Sequence, residues 1–301
     1  MIYTVTFNPS LDYVVTVPEL ATGKVNRSSN EEIIPGGKGI NVSMVLTNLG
    51  VDTRAVAFTA GFTGATFKKL VGEKKLNADF IDIEEGTTRI NVKIRSGEIT
   101  EINGQGPMVS SHHIGRLYEK LDYLDSDDYL VLAGSIPDSM PRSVYMDIMQ
   151  RLQFNDIKIV VDATGELLIN VLPYKPFLVK PNKDELATIF DVEINTKDDV
   201  IKYGKILQEK GARNVLVSMS GDGAVLIAED GNVYQSEAPK GEVKNEVGAG
   251  DSMVAGFLAG YIETEDYEKS LRIGICAGSA SAFSEELATK EELVELYRKM
   301  Y

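Results

Sequence analysis

Histidine and cysteine are almost missing from this chain, whose 301 residues include one cysteine and two histidines. A single thiol cannot close an internal disulfide. Cys276 stands among Ile273, Gly274, Ile275, Ala277 and Gly278, the composition of a packed helix interior, so an inert core thiol in a reducing compartment, the cytoplasm, is expected. The two histidines are adjacent, His112 and His113, which excludes most His-based triads and multi-His metal sites. They follow Ser110 and Ser111 and are expected in the exposed first turn of a helix, without a catalytic task. No apolar run approaches the roughly 18 residues of a membrane span. Met1 to Phe7 has neither the basic start nor the long apolar core of a signal peptide and reads as a strand of a soluble protein. Two phosphate-binding signatures are missing as well. The chain contains no Gly-x4-Gly-Lys-Ser/Thr and no Gly-x-Gly-x-x-Gly, which excludes a P-loop and speaks against a dinucleotide-dependent oxidoreductase.

Positive charge is also short. Lys and Arg total 31 against 45 Asp and Glu, a net of −14. Residues 1 to 100 are balanced at 11 against 11, so the whole excess, 20 against 34, lies in residues 101 to 301. Such a surface repels nucleic acid. A small anionic ligand needs a local basic pocket, and the neutral N-terminal third is the better place to build one.

What is present is globular: 43% hydrophobic and 25% charged residues, in a chain long enough for one large α/β domain over 1–301 with a small appendage. Apolar β-rich runs at 2–7, 53–58, 129–133, 157–161, 176–179 and 213–218 alternate with helical periods such as 40–49, 65–75, 144–152 and 200–209. That alternation predicts an α/β fold with a mostly parallel sheet covered by helices on both faces. Two segments break it, one at 12–34 and a hairpin-like one at 87–102, and together they are expected to form a small β-sheet lid. A hairpin at 223–236 and helices near 249–262, 267–283 and 289–299 close the chain.

Several glycine-rich turns carry possible chemistry. Val247-Gly248-Ala249-Gly250-Asp251 delivers one carboxylate to the start of an apolar segment. Either Asp251 caps a helix, or it accepts a proton from a hydroxyl while the open amides beside it hold an anion. Asn8-Pro9-Ser10-Leu11-Asp12 follows the first strand, which puts Asp12 at a strand's carboxyl end, where open α/β sheets bind ligands, although the same residues also build a turn. Pro35-Gly36-Gly37-Lys38-Gly39-Ile40-Asn41 opens a helix with a charge at Lys38 and a hydrogen-bonding fork at Asn41. Arg89, Asn91 and Lys93 alternate, so they project from one strand face, opposite Ile90, Val92 and Ile94. The expectation is that the apolar side is buried and the cations are presented to a phosphate monoester, with Lys38 and one of Lys24 or Arg27 nearby. Asn182 and Glu185 have the spacing of a capping box, or else serve water-mediated Mg2+ binding. Ser218, Gly221 and Gly223 join a strand to a hairpin and leave room for a nucleotide or simply make the turn.

Taken together, Gly-Gly-Lys-Gly-Ile-Asn early, Asn-x-x-Glu after Lys-Pro, and Gly-Ala-Gly-Asp late resemble the PfkB, or ribokinase-like, carbohydrate kinases over essentially the whole chain. Thr88-Arg89-Ile90-Asn91-Val92-Lys93-Ile94 and Glu101-Ile102-Asn103-Gly104-Gln105-Gly106-Pro107 look closest to the branch that uses ATP to convert fructose 1-phosphate to the 1,6-bisphosphate, with tagatose 6-phosphate as the alternative substrate. A regulator that binds phosphosugar without chemistry is the alternative of another class. The resemblance implies Asp251 as general base and Gly248, Ala249 and Gly250 as the anion hole. It implies phosphosugar contacts from Asp12, Gly37, Lys38, Asn41, Arg89, Asn91, Lys93 and Ser135. ATP would lie against Lys183, Ser218, Gly221, Gly223 and Ser279, with Glu185 and Asn182 organising Mg2+, and the lid would join two subunits into a homodimer. Asn245-Glu246-Val247 replaces the Asp-Thr that many members carry ahead of Gly-Ala-Gly-Asp, so no monovalent-cation site is carried over.

Overall fold

Strand and helix alternate for a simple reason: β-branched runs such as Ile159-Val160-Val161 pack on both faces of a sheet, and the polar-capped segments between them return the chain. The computed structural model describes residues 1–301. In chain order the elements are β1 (Ile2–Thr6), β2 (Ser10–Thr16), β3 (Asn30–Gly36), α1 (Lys38–Leu49), β4 (Thr53–Ala60), α2 (Gly61–Glu73), β5 (Ala78–Ile83), β6 (Arg89–Ser96), β7 (Glu98–Asn103) and α3 (Ser111–Leu121). There follow β8 (Tyr129–Ala133), α4 (Val144–Leu152), β9 (Lys158–Asp162), α5 (Glu166–Ile169), β10 (Leu178–Val179), α6 (Lys183–Phe190), α7 (Lys197–Glu209), β11 (Asn214–Ser218), β12 (Ala224–Ile227), β13 (Val233–Ser236), α8 (Ala249–Thr264), α9 (Tyr267–Phe283) and α10 (Lys290–Met300).

The main sheet has nine strands in the order β13-β12-β11-β10-β9-β8-β1-β4-β5. From β11 to β5 every pairing is parallel, and β12 and β13 add an antiparallel hairpin at one edge. Side chains alternate between two cores. Val5, Leu130, Leu132 and Val161 pack with Tyr145 and Ile148 of α4, while Val131, Ala133 and Val160 pack with Val45 of α1 and Val254 and Phe257 of α8. The mostly parallel sheet with helices on both faces is as the sequence predicts. The sequence misses one strand, the edge strand β5, in which only Ile81-Asp82-Ile83 alternates buried, exposed and buried.

Helix α8 is apolar nearly all round, and it is buried accordingly. It lies so close to α9 that a Cβ on Gly256 would meet the Ala277 Cβ at 2.6 Å and the Ile273 carbonyl oxygen at 2.9 Å. That approach fixes the position of its N-terminal turn, which carries Asp251.

The two irregular segments form a separate sheet of order β3-β2-β6-β7, with β2 and β6 parallel and Asp12 opposite Asn91. Its orientation corrects the sequence expectation. Asn91 and Lys93 are buried, whereas Ile90 on the opposite face is 44% exposed and Ile33 and Ile102, which share that face, are 51% and 61% exposed. The polar face meets the body because Asp12 waits there to neutralise Lys93, and the apolar face is left outside. His113 is a second correction. It is buried, not exposed, because Nδ1 accepts from the Ser110 N–H at 3.1 Å and Nε2 lies 2.8 Å from Glu84 Oε2, tying the start of α3 to the segment after β5. Cys276 is buried, and burial pushes its thiol up to about 12, as an inert core thiol requires.

Candidate active site

Parallel strands deliver their carboxyl ends to one edge, so residues far apart in sequence line up across it. Ser218 ends β11, Lys180 follows β10, Asp162 ends β9, Ser135 follows β8 and Asn8 follows β1. The sheet order sets them side by side. Above this row stand the N-terminal turns of α1 and α8, neither capped by a side chain.

The two helix starts meet where Asn41 Nδ2 donates to Asp251 Oδ2 at 2.8 Å. Asp251 is only 5% exposed. Burial, and then the neighbouring Asp162 carboxylate, push its carboxyl up to about 6, against the pull of Lys38, Asn41 and Lys180. Gly248 holds the left-handed φ of 81° that starts the helix. The amides of Gly248 and Gly250 find no acceptor in the chain, whereas the Ala249 N–H is turned to the Glu246 carbonyl at 3.3 Å. A Cβ on Gly250 would lie 3.3 Å from Lys180 Nζ. The helix start therefore faces a buried ammonium.

Asp162, fully buried, accepts from Lys38 Nζ at 2.9 Å and has Lys180 Nζ 3.5 Å away. Burial opposes its charge, yet the two lysines hold its carboxyl below the ordinary range. Burial likewise works against Lys38, but Asp162 and Asp251 keep its ammonium above the usual value. Two carboxylates and two ammonium groups thus balance one another in a low-dielectric pocket, where charged groups are sustained only by such pairing.

Asp12 forms a second centre. Its Oδ1 accepts from Ser10 Oγ at 2.6 Å and from Asn91 Nδ2 at 3.0 Å, and its Oδ2 lies 2.8 Å from Lys93 Nζ. Lys93, expected as a free cation, is thereby neutralised. Arg89 gives Nε to the Asn8 carbonyl at 3.0 Å and pairs with no carboxylate. A cleft of about 600 Å3 runs between the small sheet and the strand ends and is lined by Gly37, Lys38, Arg89, Ser135, Arg142 and Glu185, among others. Three buried side-chain polar atoms lack a partner, Thr6 Oγ1, Asn8 Oδ1 and Asp162 Oδ2, and two of the three residues line the cleft. Thr6 and Asn8 line the cleft themselves, as does Ala163, the neighbour of Asp162. Buried polar atoms are rarely left unmatched, so their gathering at these strand ends marks the region as polar and incompletely satisfied within the chain.

The residues assigned to a nucleotide lie along the β10 and β11 side. Asn182 and Glu185 complete the capping box of α6, with Asn182 Oδ1 accepting from the Glu185 N–H at 2.7 Å and Glu185 Oε2 from the Asn182 N–H at 2.8 Å. Lys183 opens that helix, and Ser218 pairs with Asn182 through a parallel bridge. Gly223 is required by the turn itself, since a Cβ there would strike the Ser236 carbonyl at 2.0 Å, whereas Gly221 faces open space. Ser279 is buried on α9 and follows Gly278, where a Cβ would lie 3.0 Å from the Ala249 carbonyl oxygen. Asp162, Arg142 and Thr6 escaped the sequence reading, and Asn8 and Lys180 entered it only as members of motifs, without a role of their own. Asp162 and Lys180 share a signal that was available, their place at the carboxyl ends of parallel strands.

The pfkB family carbohydrate kinase signature spans residues 5–292. The 1-phosphofructokinase of Bacillus subtilis (strain 168) is 46% identical over 296 residues, covering 98% of this chain and 97% of that protein. The D-tagatose-1-phosphate kinase of Bacillus licheniformis is 34% identical over 294 residues, covering 97% and 96%. Among solved structures, phosphofructokinase-2 from Escherichia coli in complex with substrates and products superposes with a TM-score of 0.94 at 28% identity, over 99% of both chains. With such coverage at both levels, the chain belongs to the pfkB family of carbohydrate kinases and is a sugar-phosphate kinase.

Proposed function

We propose that this enzyme transfers the γ-phosphoryl group of ATP to the 6-hydroxyl of fructose 1-phosphate, giving fructose 1,6-bisphosphate and ADP. The observation that carries the reading is the buried Asp251 carboxyl, raised to about 6, at an uncapped helix start. A base near that value is charged at neutral pH yet basic enough to assist. Asp251 accepts the proton of the 6-hydroxyl as that oxygen bonds to the γ-phosphorus and the bond to the ADP oxygen breaks. The Gly248 and Gly250 amides, with Lys180 beside them, stabilise charge on the transferring group. Asn41 orients Asp251, and Asp12, Gly37, Lys38, Arg89, Asn91, Lys93 and Ser135 enclose the phosphosugar. Lys183, Ser218, Gly221, Gly223 and Ser279 flank the nucleotide.

Mg2+ fits this site only as a companion of the nucleotide. No group of three or more His, Cys, Asp or Glu side chains can hold a metal here, and Glu185 keeps one oxygen in its capping box while the other is unpaired within the chain. Glu185, positioned by Asn182, would hold the ion through water, and the ion when bound neutralises phosphate charge. The small sheet, 12–34 with 87–102, acts as a lid on the α/β body, and its exposed apolar face supports a homodimer.

Fructose 1-phosphate is preferred because of the 46% identity to a 1-phosphofructokinase. The relative that acts on D-tagatose 1-phosphate supports a second reading in which the C4 epimer is accepted. An ADP-release assay with fructose 1-phosphate, tagatose 1-phosphate, tagatose 6-phosphate and fructose 6-phosphate tests both. The highest kcat/KM is expected for fructose 1-phosphate. Sugar binding without ADP release would replace the kinase reading with that of a binding protein.

A further inference from the structure

We propose that Arg142, acting with Arg89 from the opposite wall of the cleft, seats the phosphate that the sugar already carries. The inference rests on the phosphosugar reading above and names a group which that reading does not include. A phosphomonoester dianion needs cations not already committed, so each cation around the cleft can be taken in turn. Lys93 is committed to Asp12 at 2.8 Å. Lys38 and Lys180 are committed to Asp162 and face Asp251, at the end where transfer occurs. Arg89 has no carboxylate partner and spends only Nε, on the Asn8 carbonyl, so both of its terminal nitrogens are unused. Arg142, between Pro141 and the start of α4, pairs only with Asp138 at 3.0 Å, both side chains being exposed. Such an exposed pair is worth about 0–1 kcal/mol and yields to a better partner.

The acids of the cleft point to the same division. Glu166 and Glu185 line it but also line the adjoining cavity with Asn182 and Asp184, so negative charge gathers on the side away from the small sheet. A phosphate is repelled from that side and drawn to the two guanidinium groups, whose planar forks match its oxygens. Ser135 and Asn103, which line the same cleft, add neutral hydrogen-bonding groups.

The test compares wild type with Arg142→Gln and Arg142→Lys. Loss of a charge-assisted hydrogen bond predicts that Arg142→Gln raises the KM for the phosphosugar by about tenfold to a hundredfold, leaving the KM for ATP nearly constant. Arg142→Lys is expected between the two, because an ammonium keeps charge but loses the fork. An unchanged sugar KM, or equal rises in both KM values, overturns the proposal. Calorimetric titration with inorganic phosphate alone supplies a readout independent of turnover: weaker phosphate binding in Arg142→Gln supports the seat, and equal binding refutes it. If wild type turns over none of the four phosphosugars, the functional reading fails, and the phosphate titration still decides the role of Arg142.

Discussion

Asp251 is held at the expense of stability. Its carboxyl is raised in the folded chain to about 6, so the fold binds that proton more tightly than the unfolded chain does. Stability from this group is therefore present in acid and is lost as the pH rises through about 6, where the charged form predominates. Asp251→Asn is accordingly expected to raise the thermal midpoint at neutral pH while lowering kcat by about a hundredfold or more. Calorimetry and steady-state kinetics on one preparation check both, and a less stable variant with intact turnover contradicts both. In the wild type, kcat is expected to fall as the pH drops below about 6, when the base takes up its proton. Asp251, Asn41 and Asp12 were legible because each sits in a glycine or turn signature beside a periodic segment. Asp162 was not. Its place at the carboxyl end of β9 is a signal shared with every parallel strand, and the Lys38 that singles it out lies 124 positions away.

The glycine turn before α1 is explained by close packing on β1. A Cβ on Gly39 would come within 2.5 Å of Thr6 Oγ1 and 2.9 Å of the Val5 carbonyl oxygen, and a backbone carbonyl in a central strand cannot yield. Gly39→Ala is expected to displace the start of α1, and Asn41 with it, from Asp251. Overpacking of this kind costs about 1–3 kcal/mol, readable as a lower midpoint in urea, and the sugar KM rises at the same time. A variant of unchanged stability and KM would mean that the helix start tolerates the methyl group. Most elements could be read from periodicity, including β8, α4 and α9, whose limits agree with the expectation. The side assignment of β6 could not. Alternation says that Arg89, Asn91 and Lys93 share a face, but only Asp12, brought alongside from β2, determines that this face turns inward. His113 eluded the reading for a related reason, since its partner Glu84 belongs to another element.

Over the whole molecule, one apolar feature without a partner is the outer face of the small sheet, where Ile33, Ile90 and Ile102 are each more than two-fifths exposed. A second copy covering that face is expected to make the protein a dimer in sedimentation velocity. Ile90→Glu with Ile102→Glu should give monomers, because charge on a buried interface carries a desolvation cost. A monomeric wild type removes the homodimer from the account. No helix is long and apolar enough to cross a membrane. The small sheet is also joined to the main body four times, by residues 7–9, by Gly37 alone, by 84–88 and by 104–110. The tether of one residue, between the end of β3 and the first turn of α1, works as a lever arm. On the proposed reading, a tilt of the sheet over the cleft would pull on the helix start that carries Lys38 and Asn41, so that enclosing the sugar and aligning Asp251 through Asn41 would be one mechanical movement.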